Sequence, residues 1–207
     1  LNAVLKRAII SIDNSEIRFK VAEFKKLNNP KAYLHEFLKD YGFSEWNDVL
    51  NLLDAQSGKQ VFSSSYRLLK DRDILILTEL TSEDNNQSIS IAKKDAKMTL
   101  PIGILSFNEV SKIGKTHANI IYVDESQLKF PLAVRKWQEG DYFFPLGMKG
   151  KKKLSKYFKD EKLSLIDKEN TWLLCSEEAI LWVIGKRADD RFKVTENTKQ
   201  IIKFEII

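Results

Sequence analysis

Cysteine is nearly missing from this 207-residue sequence: Cys175 stands alone, so no disulfide can form within the chain and a reducing compartment is expected. Histidine is almost as scarce, and His117 has no second histidine, cysteine or carboxylate cluster at ligand spacing, which leaves no metal site to propose. No apolar run approaches the roughly 18 to 20 residues that cross a bilayer. The N-terminus also lacks the apolar stretch and small-residue cleavage pattern of a secretion signal, so a soluble, cytoplasmic protein is expected. Reactive motifs are missing as well: there is no Gly-x-Ser-x-Gly elbow, no Cys-His pairing and no complete phosphate loop. These absences speak against a self-sufficient catalyst. A start at Leu1 in place of Met is what a segment of a longer chain would show.

What is present is an ordinary globular composition, 43% apolar, with room for a core in one large domain or two modest ones. The charge balance is 34 cations against 29 anions, a net +5, which is too small over the whole chain to identify a partner. Where the charge lies matters more. Between 149 and 162 there are seven lysines, and the acids Asp160 and Glu161 come only at the far end. The early part of that run therefore presents an uncancelled positive field, which attracts polyanions. Leu154, Tyr157 and Phe158 recur at helical spacing, so the expectation is a helix over 152–163 with Lys152, Lys153, Lys156 and Lys159 on its wet faces. Gly147 and Gly150 before it would let the backbone turn and bring N–H groups to the helix N-terminus, a place that favours phosphate. A solvated surface helix has the same composition.

Upstream, a helical period runs over 1–12 and a second amphipathic piece over 17–27. Pro30 suits the first turn of a third helix, Gly42 its stop, and Ser44 the cap of a fourth that carries Trp46, Val49, Leu50 and Leu53. Strands follow at 60–62, 66–69 and 74–80, and the Gly58-Lys59 pair before them reads as a helix stop with a surface lysine. The polar, acidic stretch 81–88 is the best linker candidate. Beyond it, strands are expected at 89–92, 99–107 with an irregularity at Pro101 and Gly103, 118–123 and 131–135, then a hairpin over 171–185 and an alternating strand at 201–207.

The motifs Arg135-Lys136-Trp137, Gly140-Asp141, Pro145-Leu146-Gly147-Met148-Lys149-Gly150, Lys152-Lys153-Leu154-Ser155, Gly185-Lys186-Arg187 and Arg191-Phe192-Lys193-Val194-Thr195 occur in this order over most of 130–203. Together they resemble the C-terminal domain of the tRNA(Ile)-lysidine synthase family. The stretch 53–80, with Ser57-Gly58-Lys59 and the Arg72-Asp73 turn, is similar to the end of that family's middle domain, and the likeness weakens before about 47. Two departures are mild: Tyr142 stands where arginine is frequent and Tyr157 where an acid is common.

The resemblance implies an α+β architecture in three parts: a helical substrate-recognition domain with a terminal hairpin over 1–81, a linker and β-rich connector over 82–125, and a tRNA-binding domain over 126–207. The last would have the three-layer β/β/α fold shared with part of the phenylalanyl-tRNA synthetase β subunit. It also implies the substrate half of an ATP-dependent ligase that attaches lysine to the wobble cytidine of the isoleucine tRNA with the CAU anticodon. ATP and Mg would belong to an N-terminal ATP-pyrophosphatase domain with a Ser-Gly-Gly-x-Asp-Ser loop, which does not occur in these residues, so no cofactor is expected here. The C-terminal region would grip the acceptor stem. Candidate tRNA contacts are Arg135, Lys149, Lys151, Lys152, Lys153, Lys156, Arg187 and Arg191, with the 151–153 run at their centre. Trp137, Phe143 and Phe144 read as a small core sooner than as base platforms, and Asp160-Glu161 and Asp189-Asp190 as ion-pair partners sooner than as catalysts. The alternative is a protein-interaction or homodimerisation module whose apolar strands make the contacts. Steep salt dependence of RNA binding separates the two.

Overall fold

A computed structural model describes residues 2–12, 16–80, 88–93 and 95–207, which divide into two compact units, Leu1–Glu83 and Asp84–Ile207. The linker candidate at 81–88 lies, apart from Ser88, outside the described residues. Among the described residues no helix is long and apolar enough to cross a membrane.

In the first unit α1 (Asn2–Ala8) passes directly into β1 (Ile9–Ile12), and β2 (Glu16–Lys20) into α2 (Val21–Lys25). Both helices expected here are thus half strand. Ile9, Ile10 and Ile12 are β-branched and lose rotamer freedom in a helix, while β2 gains two ladders, to β1 and to β5 (Ile74–Glu79), with Phe19 opposite Leu75. The ladder to β5 is non-local and overrides the local period, and β1 follows by pairing with β2.

Next, α3 (Pro30–Leu38) starts as expected: the Asn29 side chain accepts the Ala32 N–H at 3.2 Å and Pro30 occupies the first turn. Gly42, at φ +76°, ends the short 3₁₀ turn that follows. Ser44 does not cap α4 (Trp46–Asn51); Glu45 holds that position without a side-chain bond. With β3 (Gln60–Phe62) and β4 (Tyr66–Asp71) the sheet has the order β1-β2-β5-β4-β3, and Phe24, Leu34, Leu38, Val49, Leu68 and Leu75 form the core beneath it.

The second unit is two sheets and a helical layer. One sheet contains β6 (Ser88–Ile91), β10 (Leu132–Lys136), β13 (Trp172–Ser176), β14 (Ala179–Val183) and β15 (Arg187–Ala188); the other contains β7 (Lys97–Leu100), β8 (Gly103–Val110), β9 (Ile120–Asp124) and β16 (Ile201–Ile206). The irregularity expected at Pro101 and Gly103 is the turn between β7 and β8. Leu174, Trp182, Phe107 and Phe204 pack between the sheets. On β16, Ile202, Phe204 and Ile206 face this core, while Lys203 and Glu205 pair with each other at 2.6 Å on the far side. The opposite face of the first sheet is covered by α5 (Leu154–Asp160), which lies between α6 (Leu165–Glu169) and the two-residue ribbon of β11 (Tyr142–Phe143) and β12 (Lys152–Lys153). Leu154, Tyr157 and Phe158 of α5 meet Leu173, Cys175, Ile180 and Val183 there. A seven-residue helix is not stable alone in water, so this burial holds it.

The layers are therefore β/β/α, and strands 88–124, expected in a connector, are built into both sheets of this unit. Because β13 has a layer on each side, all five of its residues are buried. Cys175 is one of them, and burial pushes its thiol up to about 11. We expect it to resist an alkylating reagent at pH 8.5 in the folded chain and to react once urea unfolds it, as followed by mass spectrometry. The unfolded thiol ionises near 9 and the folded one near 11, so this group's contribution to stability is complete below pH 9 and is lost as pH rises through 11.

Candidate nucleic-acid interface

The cationic stretch begins where β10 leaves the sheet. Arg135 lays its guanidinium fork on Asp141 at 2.8 and 2.9 Å, and Asp141 also accepts the Gln138 N–H at 2.8 Å. These bonds close the 136–141 turn around Gly140, whose φ is +95°. The Asp141 carbonyl takes the N–H of Leu154 at 2.8 Å, so the first amide of α5 is already satisfied. The phosphate-binding helix N-terminus expected after Gly150 is not formed, because β12 stands between the glycine turn and a short helix.

That ribbon also redistributes the lysines. Tyr142 is opposite Lys153 and Phe143 opposite Lys152, and cross-strand partners share a face. Phe143 is buried, so Lys152 points inward, with its side chain only 16% exposed and its ammonium 2.8 Å from Asp160. The Lys152 ammonium beside Asp160 holds that carboxyl below the usual carboxylate range. The helix expected from 152 starts two residues later, and in the strand before it successive side chains alternate sides. The centre of the predicted run is thus a structural ion pair.

The outward face carries different chemistry. Lys151 sits over the Tyr142 ring at 4.1 Å, Tyr142 meets Phe144 edge-on at 6.3 Å, and the Arg191 guanidinium lies 4.6 Å from the Phe144 ring. Arg191 is held from below by Asp189, with Nε and Nη2 donating at 2.9 and 2.8 Å. Asp189 is 1% exposed and also accepts the N–H groups of Phe144 and Arg191, both at 2.9 Å. The neighbouring Asp190 pairs with Lys193 at 2.8 Å. Arg187 donates to the Leu146 carbonyl at 3.3 Å and reaches the buried Tyr157 hydroxyl. Trp137 and Phe143 are core, edge-on to Phe158 and Tyr157 at 5.1 Å each.

Of the eight candidate contacts, Arg135, Lys152 and Arg191 are therefore engaged by Asp141, Asp160 and Asp189, and Arg187 by a carbonyl. Lys149, Lys151, Lys153 and Lys156 are exposed and have no carboxylate partner among the described residues. Glu177 and Glu178, on the turn between β13 and β14, border the aromatic patch next to Tyr142 and Arg191. Asp189 and Asp190 are ion-pair partners, as expected, of Arg191 and Lys193; what the sequence did not show is that Asp141 and the buried Asp189 also set the loop. Nothing in their spacing distinguishes them from surface carboxylates.

Replacing Arg135 by alanine should therefore lower stability by about 1.5–3 kcal/mol in urea titrations, the worth of bonds to a charged group, and leave the salt slope of RNA binding unchanged. The apolar strands of the alternative reading, 171–185, are covered on both faces and present no apolar surface for a second copy. Among the described residues no three histidine, cysteine or acidic side chains are grouped to hold a metal.

The family profiles and the curated relatives point to one family. A family profile described as the TilS substrate binding domain matches residues 12–80, and one described as the TilS substrate C-terminal domain matches 132–205. The tRNA(Ile)-lysidine synthase of Parabacteroides distasonis is 38% identical over 213 residues, covering 96% of this chain and 46% of that protein. The tRNA(Ile)-lysidine synthase of Bacteroides thetaiotaomicron is 37% identical over 181 residues, covering 86% of this chain and 40% of that protein. A crystal structure of a TILS C-terminal domain aligns at 22% identity and a TM-score of 0.49, over 57% of this chain and 95% of that one. The chain spans less than half the length of the curated relatives it matches. It belongs to the tRNA(Ile)-lysidine synthase family, of which it carries the substrate-binding and C-terminal domains.

Proposed function

We propose that this chain is the part of a tRNA(Ile)-lysidine synthase that holds and orients the isoleucine tRNA with the CAU anticodon, with the second unit on the acceptor stem. The parent enzyme would be the ATP-dependent ligase that joins lysine to the wobble cytidine, in the cytoplasm. ATP and Mg would be bound by a domain outside these residues, since the Ser-Gly-Gly-x-Asp-Ser loop is missing from them. One observation carries the reading: Lys149, Lys151, Lys153 and Lys156 are exposed and, among the described residues, in no ion pair, on a single loop-ribbon-helix stretch of the unit that matches the family's C-terminal domain.

An A-form stem presents phosphates and 2′-hydroxyls, and its major groove is too narrow for side chains to read. Lysines suit that target as long, mobile point charges. Such contacts orient the RNA, and discrimination among tRNAs would come from elsewhere. The test is titration of the chain with isoleucine tRNA and with a hairpin of its acceptor stem alone, at 50 and 200 mM salt. Binding to both, weakening steeply with salt, is expected; tRNA binding without hairpin binding would move the contact off the acceptor stem, and salt-independent binding would refute phosphate recognition.

A further inference from the structure

The second unit contains a cavity of about 450 Å³ where the loop 111–119 and β9 face β15 and the segment after it. That volume is within the range of small-ligand sites. Its walls are apolar, from Ile113, Ile120, Leu146 and Val194, with the Tyr122 ring among them. Lys186 and Arg187 line it as well. Ile113 and Leu146 are 47% and 39% exposed, a large apolar exposure beside cations. Lys193 also lines the cavity, but its ammonium is taken by Asp190.

The site is built in place. The Tyr122 hydroxyl donates to the Lys115 carbonyl at 3.4 Å, and the loop crosses it so closely that a Cβ on Gly114 would lie 2.8 Å from that oxygen. The loop's end is held by the Asn119 carbonyl, which takes the Ile206 N–H at 3.0 Å. Arg187 and Leu146, joined by their hydrogen bond, are shared between the cavity wall and the loop that leads to Lys149. Leu146 thus joins the cavity wall to the chain segment that carries Lys149 three residues on.

We infer that this cavity takes one unpaired nucleotide next to an RNA duplex, with its base against Tyr122 and the isoleucines and its phosphate at Lys186 and Arg187. The inference rests on the RNA-binding reading above. Apolar and aromatic walls suit a base face, which a duplex keeps stacked and only an unpaired residue exposes; neighbouring cations suit the phosphate that comes with it.

The experiment uses the full chain and three hairpins of one sequence: blunt, and with a two-nucleotide extension at the 3′ or the 5′ end containing 2-aminopurine. One extension should raise affinity roughly tenfold, the worth of a stacked base, and its fluorescence should be quenched on binding. Ile113→Glu puts an anion at the mouth on an exposed loop residue. It should abolish that gain and the quenching while blunt-hairpin affinity changes by less than about threefold, the screened effect of one surface charge. If the blunt hairpin binds and neither extension adds affinity or is quenched, or if Ile113→Glu preserves the gain, the cavity does not hold a nucleotide. If no hairpin binds, RNA recognition itself fails, and this inference with it.

Discussion

Replacing Lys149, Lys151, Lys153 and Lys156 together by alanine is expected to weaken tRNA binding at 50 mM salt by about a hundredfold and to flatten its salt dependence by roughly three to four logarithmic units per decade. Each exposed ammonium is taken as one phosphate contact that releases one condensed counterion; four such contacts account for about a hundredfold between 50 and 200 mM salt, which is a lower bound on what their removal costs at 50 mM. The fold should survive. All four side chains are exposed, none has a carboxylate partner among the described residues, and substitutions at such positions change stability by about 0.5 kcal/mol or less. Lys151 adds only its contact with Tyr142, worth about 0.5–1 kcal/mol at an exposed site. A variant with an unchanged unfolding midpoint and an unchanged salt slope would show that these lysines do not touch RNA. Substituting Lys152 alone gives the contrast, because its ammonium belongs to Asp160 and its loss should register in stability and leave the slope unaltered.

Asp189→Ala should be among the most damaging substitutions of a polar residue in the C-terminal unit, costing about 2–4 kcal/mol in chemical denaturation. The carboxylate is buried and organises four donors: the N–H groups of Phe144 and Arg191 and two nitrogens of the Arg191 guanidinium. Its removal leaves the two N–H groups without their acceptor, each at a cost of about 1–3 kcal/mol, while the guanidinium, whose side chain is 37% exposed, exchanges the lost acceptor for water. Arg191→Ala should also be costly, since it leaves the carboxylate buried with its two backbone donors alone. In the double variant the two losses should overlap, so its destabilisation is smaller than their sum. Additive losses, or an Arg191→Ala chain that keeps full stability and loses part of its RNA salt slope, would instead make Arg191 a phosphate contact.

Most strands of the C-terminal unit are readable in the sequence because their pattern is local. Residues 172–176 and 179–183 are short apolar runs broken by two glutamates, and 201–206 alternates as a strand with one wet face must. In the helical layer α5 is legible from Leu154, Tyr157 and Phe158, while α6 is not among the expected elements. Residues 16–20 were not legible, because their helical period is contradicted by partners such as Leu75, more than fifty residues away in the chain, and among the described residues 9–12 pair only with that strand. The same holds for 152–153, which pair with 142–143 in place of extending α5.

From its residues alone, then, the chain settled where cationic charge collects, which catalytic motifs it lacks and which family it resembles, because those properties belong to composition and order. Which cations remain free was decided only on folding. Whether an ammonium or guanidinium can meet a phosphate depends on the carboxylate within about 3 Å of it, and Asp141, Asp160 and Asp189 reach Arg135, Lys152 and Arg191 through a turn, a helix packed back on its ribbon, and a buried loop anchor. Coulomb energy falls with distance in space, and spacing along a chain does not measure that distance.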